Sequence, residues 1–415
     1  MSVNLFGSSA YPSLTVEFGF SSALSGFGAW DIGTWDSALW GPDVAWVDVS
    51  AYVRGLSTSW QRSRQLDRQP SATLSVELQN TDGRFTPANL SGPYVVAGVT
   101  QVRPRVPVRV TSTYGGVDFP IFYGRVNTWQ DEFPSFGLNA VTRVTAADEL
   151  ATLGSIDLAT VASVGAGDTA AARLLRILNA AGWSGPVAFD TGVATMQATT
   201  LGSNALSLCQ LTADSDGGLF FADKDGTLTF YGRNSRTTRA RSTTRQATFG
   251  GSGVPFRNAV VAYDDDTLVN LGRWSRVGGS VQTAQDTTSQ ALYGVLSSER
   301  SDLICSTDAD VLDIVRRLVV ASEAPEYRLA SIQATCASAP AYWPTLLGLG
   351  IRDLVRATWS TPFATLTQDA YVSGISHSIS ADSGWWVTLG FESASRYLGS
   401  ALWDFGAWDT DTWWA

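Results

Sequence analysis

The sequence predicts a mainly β fold with an α/β part inserted between two β-rich regions. Residues 51–150 and 326–398 are dominated by segments in which apolar and polar side chains alternate, which is the period of a half-buried strand. Residues 151–325 also contain apolar patterns of helical period. The chain has 415 residues, 44% hydrophobic and 16% charged, so it can form roughly two to three domains with sizeable cores.

The first β-rich region, residues 51–150, shows the clearest strand pattern. Leucine and valine alternate with polar residues over 71–78, and the Asn-Thr-Asp-Gly sequence at 80–83 supplies turn residues. Further strands are predicted at 56–61, 106–110 and 119–129. An antiparallel sheet or barrel is therefore expected here.

The middle region, residues 151–325, is predicted to contain three helices and a hairpin. The hairpin covers 219–231, where two apolar segments flank an Asp-Lys-Asp-Gly turn, and strands are predicted at 257–263 and 268–273. Each helix follows a residue that can cap its first turn: Asp168 or Thr169 before a helix through Ala181, Ser203 or Asn204 before the second, and Ser306 or Thr307 before a helix at 308–322.

The second β-rich region, residues 326–398, contains the only histidine of the chain, His377, within a predicted strand at 368–380. The neighbouring Ser376 resembles a hydrolase nucleophile. However, adjacent residues of a strand point to opposite faces, which opposes a Ser–His dyad. His377 is therefore predicted to be structural. The other strands are predicted at 328–335, 353–360 and 385–391.

Charge is unevenly distributed along the chain. The formal net charge is −10, which favours solubility and argues against a surface that wraps nucleic acid. One acid-free stretch concentrates five bases: Arg233, Arg236, Arg239, Arg241 and Arg245. The favoured interpretation is a solvated loop, with a polyanion or partner site as the alternative.

Residue counts exclude several kinds of chemistry. With one His and one Lys, His-rich metal sites and most triads are impossible, and no phosphate-binding loop motif is present. The Asp-rich turns at 214–217 and 223–226 lack the closing Glu of a calcium loop. We therefore predict no metal, no cofactor and no enzymatic activity.

Three widely spaced cysteines, Cys209, Cys305 and Cys336, are expected to be free thiols in a reducing compartment. No cationic signal region precedes Arg54, and the longest uncharged run, 329–351, is too polar to span a bilayer. We expect synthesis in the cytoplasm and no membrane span.

Sixteen tryptophans form the most unusual feature of the composition. The sequence W-D-x-G-x-W-D occurs at 30–36 and again at 403–409, within two Trp-rich terminal segments, 1–50 and 399–415. Because Trp anchors many protein interfaces, these segments are predicted to dock a partner. The candidate residues are Trp30, Trp35, Trp40, Trp403, Trp408, Trp413 and Trp414. The alternative is a carbohydrate-binding or glycan-cleaving protein that acts on a cell wall, since Trp also stacks on sugars.

Several motifs follow one another in a definite order along the chain. They are R-S-R-Q-L at 62–66, L-Q-N-T-D-G-R-F-T-P at 78–87, F-Y-G-R-V at 122–126, the hairpin at 219–231, Q-A-L-Y-G at 290–294, G-I-R-D-L-V at 350–355, Y-V-S-G-I-S-H-S-I at 371–379 and W-W-V-T-L at 385–389. Their order resembles that of the tail-hub (baseplate-hub) proteins of long-tailed bacteriophages, known as minor tail proteins in phages of actinobacteria. The resemblance covers most of residues 50–395 and leaves out the Trp-rich ends.

The resemblance implies two β-barrel-like domains per chain, flanking the middle region, and a homotrimeric ring with pseudo-sixfold symmetry. Such a ring joins the sixfold tail tube and distal-tail ring to a threefold tip or fibre and lines the DNA exit channel. The implied partners are other copies of the chain, the distal tail protein, the tail tube, the tape-measure protein and a fibre or tip protein. Genomic DNA is only a passing contact. The implied location is the virion tail tip, after assembly in the host cytoplasm.

Overall fold

The computed structural model describes residues 10–21, 27–28, 39–40, 44–62, 68–134, 138–159, 161–398, 400–401 and 412–413. The first part of the chain contributes strands only: β1 (Ser13–Ser21), β2 (Phe27–Gly28), β3 (Leu39–Trp40), β4 (Val44–Asp48), β5 (Val53–Trp60), β6 (Thr73–Gln79), β7 (Val95–Val96), β8 (Val99–Thr100), β9 (Pro107–Tyr114), β10 (Val117–Glu132) and β11 (Val141–Ala147).

The middle region mixes helices with short strands. Its elements are α1 (Glu149–Gly154), β12 (Val161–Val164), β13 (Asp168–Thr169), α2 (Ala170–Ala180), β14 (Val187–Phe189), β15 (Thr195–Met196), β16 (Thr199–Leu201), α3 (Ala205–Asp216), β17 (Leu219–Ala222), β18 (Leu228–Tyr231), α4 (Ser235–Thr238), α5 (Ala240–Thr243), β19 (Ala247–Phe249), β20 (Phe256–Ala262), β21 (Leu271–Arg276), β22 (Gln282–Gln285), α6 (Thr287–Tyr293), β23 (Ser297–Leu303) and α7 (Asp308–Ser322).

The last part returns to strands. Its elements are β24 (Arg328–Ala334), α8 (Trp343–Leu347), β25 (Leu354–Ser360), β26 (Thr365–Ser380), β27 (Gly384–Ser393), α9 (Ser395–Leu398), β28 (Ser400–Ala401) and β29 (Thr412–Trp413). The predicted fold class is confirmed: the protein is mainly β, with an α/β part between two β-rich regions. None of the helices in the described ranges is long and apolar enough to cross a bilayer.

One large sheet contains strands from both β-rich regions. Its order is β20-β24-β27-β26-β5-β6-β11-β10-β9-β1-β4, with β25 paired to β26 and β19 paired to β25. The two regions meet where β5 runs antiparallel to β26, with Thr58 opposite His377. Side chains of both regions, such as Leu74 and Val387, share one hydrophobic core. The two β-rich regions are therefore joined by backbone hydrogen bonds rather than by a linker.

Residues 1–50 contribute more than their composition predicts. β1 buries Leu14, Val16, Phe18 and Phe20, pairs with β9 on one side and pairs with β4 on the other. The many Gly, Ser and Trp residues hid these strands, because such residues are typical of loops. The boundaries of the predicted domains stay predictions.

A second core lies in the middle region. α2 turns Leu174, Ile177 and Leu178 inward at helical spacing, where they pack with residues of α3 and β17–β18. One of each pair of predicted caps is confirmed: the side chain of Thr169 accepts a bond from Ala172 N. Asn204 and Thr307 cap α3 and α7 in the same way.

Candidate functional site at the junction of the middle region and the large sheet

The tryptophans predicted to dock a partner cannot be assigned contacts. Trp30, Trp35, Trp403, Trp408 and Trp414 lie outside the described residues, and Trp40 and Trp413 lie in β3 and β29, where only the backbone is described. Partner docking through these residues stays a prediction.

The prediction that the arginine-rich stretch is a solvated loop is wrong. Residues 233–245 form the two short helices α4 and α5 and their flanks, and most of their guanidinium groups meet acids elsewhere in the fold. The ion pairs are Arg233 with Asp313 at 2.6 Å, Arg236 with Glu392 at 2.9 Å, Arg245 with Asp369 at 3.0 Å, and Arg241 with Asp353. Because these guanidinium groups already pair with acids of the same chain, they are not free to bind a polyanion either.

Glu392 is the centre of the most buried of these clusters. Its carboxylate is 2% exposed and accepts bonds from Arg236 Nη2 at 2.9 and 3.0 Å to its two oxygens, from Arg62 Nη2 at 3.4 Å and from the Tyr397 hydroxyl. Burial alone would raise the pKa of Glu392, but the charges of Arg236 and Arg62 outweigh it and lower the pKa to about 2. The carboxylate is therefore ionised throughout the physiological range.

A tight turn at residues 350–353 places a second buried acid. Arg352 adopts a left-handed backbone conformation, with φ of 63°, which is rare for a residue with a side chain. Asp353 then accepts bonds from Gly350 N and Arg241 Nε, both at 2.8 Å. Burial, followed by the charge of Arg236, lowers the pKa of Arg352 to about 9. The turn thus fixes charged groups on the sheet side of the junction.

The single lysine of the chain fastens the β17–β18 hairpin to the C-terminal end of α8 and the residues that follow it. Lys224 lies at the hairpin tip and its Nζ donates to the carbonyl oxygens of Leu347 and Leu349, at 2.6 and 2.9 Å. Arg241 Nη2 donates to Gly348 O at 2.8 Å, so two cations satisfy carbonyls at the C-terminal end of α8. Burial lowers the pKa of Lys224. Its role at this place is that of a clamp.

His377 is a core residue, as predicted. Its Nδ1 accepts a bond from Trp385 Nε1 at 3.2 Å, so a neutral ring carries its proton on Nε2. Burial lowers the pKa of His377 to about 3. Ser376 lies on the opposite, less buried face of β26, which confirms that the two do not form a dyad. Among the described residues, no cluster of three or more His, Cys, Asp or Glu side chains could hold a metal ion.

Sequence reasoning missed this junction because its partners are far apart in the chain. Arg236 and Glu392 are separated by 156 positions, and Arg241 and Asp353 by 112. A local signal did exist for the acid: Glu392 directly follows the apolar alternation of β27, where an isolated carboxylate needs a cationic partner. The ion pairs hold the middle region in a fixed orientation against the large sheet. The cluster contains no nucleophile next to a base. We interpret it as a structural site.

The fold is that of phage tail proteins. The chain is similar to the 43 kDa tail protein of prophage MuSo2 from Shewanella oneidensis, with a TM-score of 0.55 and 12% identity over 92% of this chain and 97% of that chain. It is also similar to the tail protein from Neisseria meningitidis MC58, with a TM-score of 0.56 and 10% identity over 92% and 96% of the two chains. No protein-family model and no curated protein matches the sequence. At such low identity, the likeness establishes a common fold.

Proposed function

We propose that this protein is a structural hub of a phage tail. Three copies would form a ring at the tail tip, joining the sixfold tail tube and distal-tail ring to threefold tip or fibre proteins. The observation that carries the proposal is the nearly full-length likeness, in both directions, to two tail proteins. The order of hub-like motifs along the sequence supports the same role.

The architecture suits such an adaptor. A chain with two β-rich regions presents two similar faces, so three chains present six near-equivalent ones. The pairing of β5 with β26 and the buried Arg236–Glu392 pair hold the parts of one chain in a fixed relation. A ring that transmits symmetry between two neighbours needs this rigidity, because loosely tethered faces would not present a regular sixfold surface.

The proposed partners follow from that position. They are two further copies of the chain, the distal tail ring, the tail tube and tape-measure protein, and a fibre or tip protein. DNA would pass through the lumen, and a net charge of −10 disfavours retention of its phosphates. We propose no enzymatic activity, synthesis in the host cytoplasm and a final place at the virion tail tip.

The proposal is tested by the copy number of the chain in isolated tail tips. Quantitative mass spectrometry against the tail-tube protein should give three copies per particle. Six or twelve copies would contradict the trimer. The glycan-binding alternative, which the 16 tryptophans motivate, stays a prediction. Binding of purified chain to cell-wall glycan would favour it.

A further inference from the structure

We propose that the groove between β20 and β25 binds an extended, basic segment of a different tail protein. The inference rests on the proposed function and deepens it by naming a docking surface and the chemistry of its occupant. The sheet runs from β20 through β24, β27 and β26 to β25, and the groove lies where β20 and β25 come near each other. It has a volume of about 550 Å³, and Phe256, Val261 and Trp359 are among the side chains that line it.

The walls of the groove include backbone edges that have no strand partner in the described part of the chain. β19 ends opposite Ala357, so Thr358–Ser360 of β25 lie beyond it and pair there only with β26. On the other wall, β24 is the only described strand that pairs with β20. Such edges can bind an extended segment through main-chain hydrogen bonds. A bulge at Asn258, where φ is 54°, bends β20 and restricts that pairing to a few residues.

Large apolar side chains lie at or next to the groove. Val260 is 52% exposed, Tyr263 63%, Tyr327 49% and Phe363 74%. So many exposed apolar side chains in one place are typical of a surface that another protein covers. Trp359 also has a buried indole Nε1 without a hydrogen-bond acceptor among the described residues, and a carbonyl oxygen of the occupant would supply one. Because alternate residues of a strand face the same way, the occupant is expected to carry apolar side chains at every second position.

The rim of the groove is acidic where β20 ends. Asp265 and Asp266 follow the strand in an exposed turn, and neither forms an ion pair with any described residue. The turn lies beside the groove, because Asp264 pairs with Arg328 at 2.9 Å and Arg328 directly follows the groove residue Tyr327. Two uncompensated carboxylates therefore lie at this rim.

The charges around the groove select the occupant. At the other end of β20, Arg257 lies over the ring of Trp386, 3.3 Å from its centroid, and donates to Gln333. This base is thus held by its own chain, whereas the carboxylates at the acidic rim are open to a cation. A second copy of this chain, with a net charge of −10, would approach the rim against electrostatic repulsion. The favoured occupant is therefore a segment of another protein that carries Lys or Arg beside its apolar residues.

Photocrosslinking in isolated tail tips tests the inference. The photoreactive residue p-benzoylphenylalanine replaces Phe363 at the groove, and mass spectrometry identifies the crosslinked peptide. The expected product joins this chain to a segment of a different tail protein that has Lys or Arg next to apolar residues. The control is the same replacement at Phe133, which is 58% exposed and directly follows β10. The control position should not crosslink to that segment.

Charge reversal at the acidic rim tests the chemistry of the occupant. The changes Asp265→Lys and Asp266→Lys, made together, should lower the crosslink yield from the Phe363 position about tenfold or more, because like charges then meet at the rim. A matched control is Asp382→Lys, which reverses an exposed aspartate between β26 and β27 that has no ion pair among the described residues. It should leave the crosslink yield unchanged. Circular dichroism of the purified variants checks that they fold.

Several results would overturn the inference while leaving a trimeric hub intact. They are the absence of a crosslink from the Phe363 position, a crosslink within the same chain or to a second copy of it, a crosslinked segment without Lys or Arg, and equal crosslink yields from the two kinds of charge variant. If this chain is absent from isolated tail tips, or is present in a number other than three, the proposed function is contradicted instead.

Discussion

Removal of the charge on Glu392 should loosen the junction between the middle region and the large sheet. The change Glu392→Gln keeps the shape of the side chain but leaves Arg236 and Arg62 without their shared carboxylate in a buried place. Removing one partner of a buried ion pair typically costs about 3–5 kcal/mol, because the remaining charge stays desolvated. The expected loss of stability is therefore several times larger than the loss caused by removing one partner of a surface ion pair.

The pKa of Glu392 gives a second estimate of how much its charge contributes to the free energy of unfolding. A pKa of about 2 in the folded protein, against an ordinary value of 4.5, corresponds to about 3 kcal/mol of stabilisation of the charged form. A lowered carboxyl pKa stabilises the fold fully above the unfolded pKa, and that contribution is lost as the pH falls toward the folded pKa. The difference between the unmodified protein and Glu392→Gln should therefore be full near pH 7 and should shrink between about pH 5 and pH 2.

Guanidinium unfolding followed by tryptophan fluorescence measures this difference. The matched control is Glu299→Gln, whose carboxylate is 62% exposed and lies 3.5 Å from Arg273, so its loss should cost less than about 1 kcal/mol. The reasoning would be refuted if Glu392→Gln lowered the free energy of unfolding no more than Glu299→Gln does. It would also be refuted if the effect of Glu392→Gln did not change with pH.

Three further changes test other parts of the fold. Thr307→Ala should destabilise α7 by about 1 kcal/mol in thermal or chemical unfolding, since its side chain caps the helix, whereas Ser306→Ala should change little. Lys224→Met should cost about 1–3 kcal/mol and speed limited proteolysis of the middle region, because buried carbonyls lose their donor; an unchanged digestion rate would speak against the clamp. Burial lowers the pKa of His377 from 6.5 in the unfolded chain to about 3 in the folded protein. Because the unfolded chain therefore binds a proton first as the pH falls, the free energy of unfolding should decrease by about 2 kcal/mol from pH 6.5 to pH 5. His377→Gln should remove that part of the pH dependence, and equal profiles would contradict the buried neutral ring.

Local features of this fold were predictable from the sequence. The bounds of α7, the β17–β18 hairpin and one cap of each predicted pair agree with the structure, because capping, turn chemistry and apolar periodicity act within a few residues. The burial of His377 was also predictable, since alternation along a strand fixes which side chains share a face.

Long-range features were not predictable in this way. The pairing of β5 with β26 joins positions more than 300 residues apart, and no local pattern specifies it. The arginines of 233–245 look like a solvated stretch because the acids that bind them come from distant segments, as Asp369 does for Arg245. The strand β1 was hidden because Gly and Ser lie among its apolar residues. In each case the missing information is tertiary.

The number of copies in the isolated oligomer tests the central claim most directly. Native mass spectrometry of the purified chain should give an assembly of about 133 kDa, which corresponds to three chains of 44.3 kDa. Class averages from electron microscopy should show a ring with threefold symmetry and six similar lobes. A stable monomer, or a ring of six or more chains, would contradict the proposed trimeric tail hub.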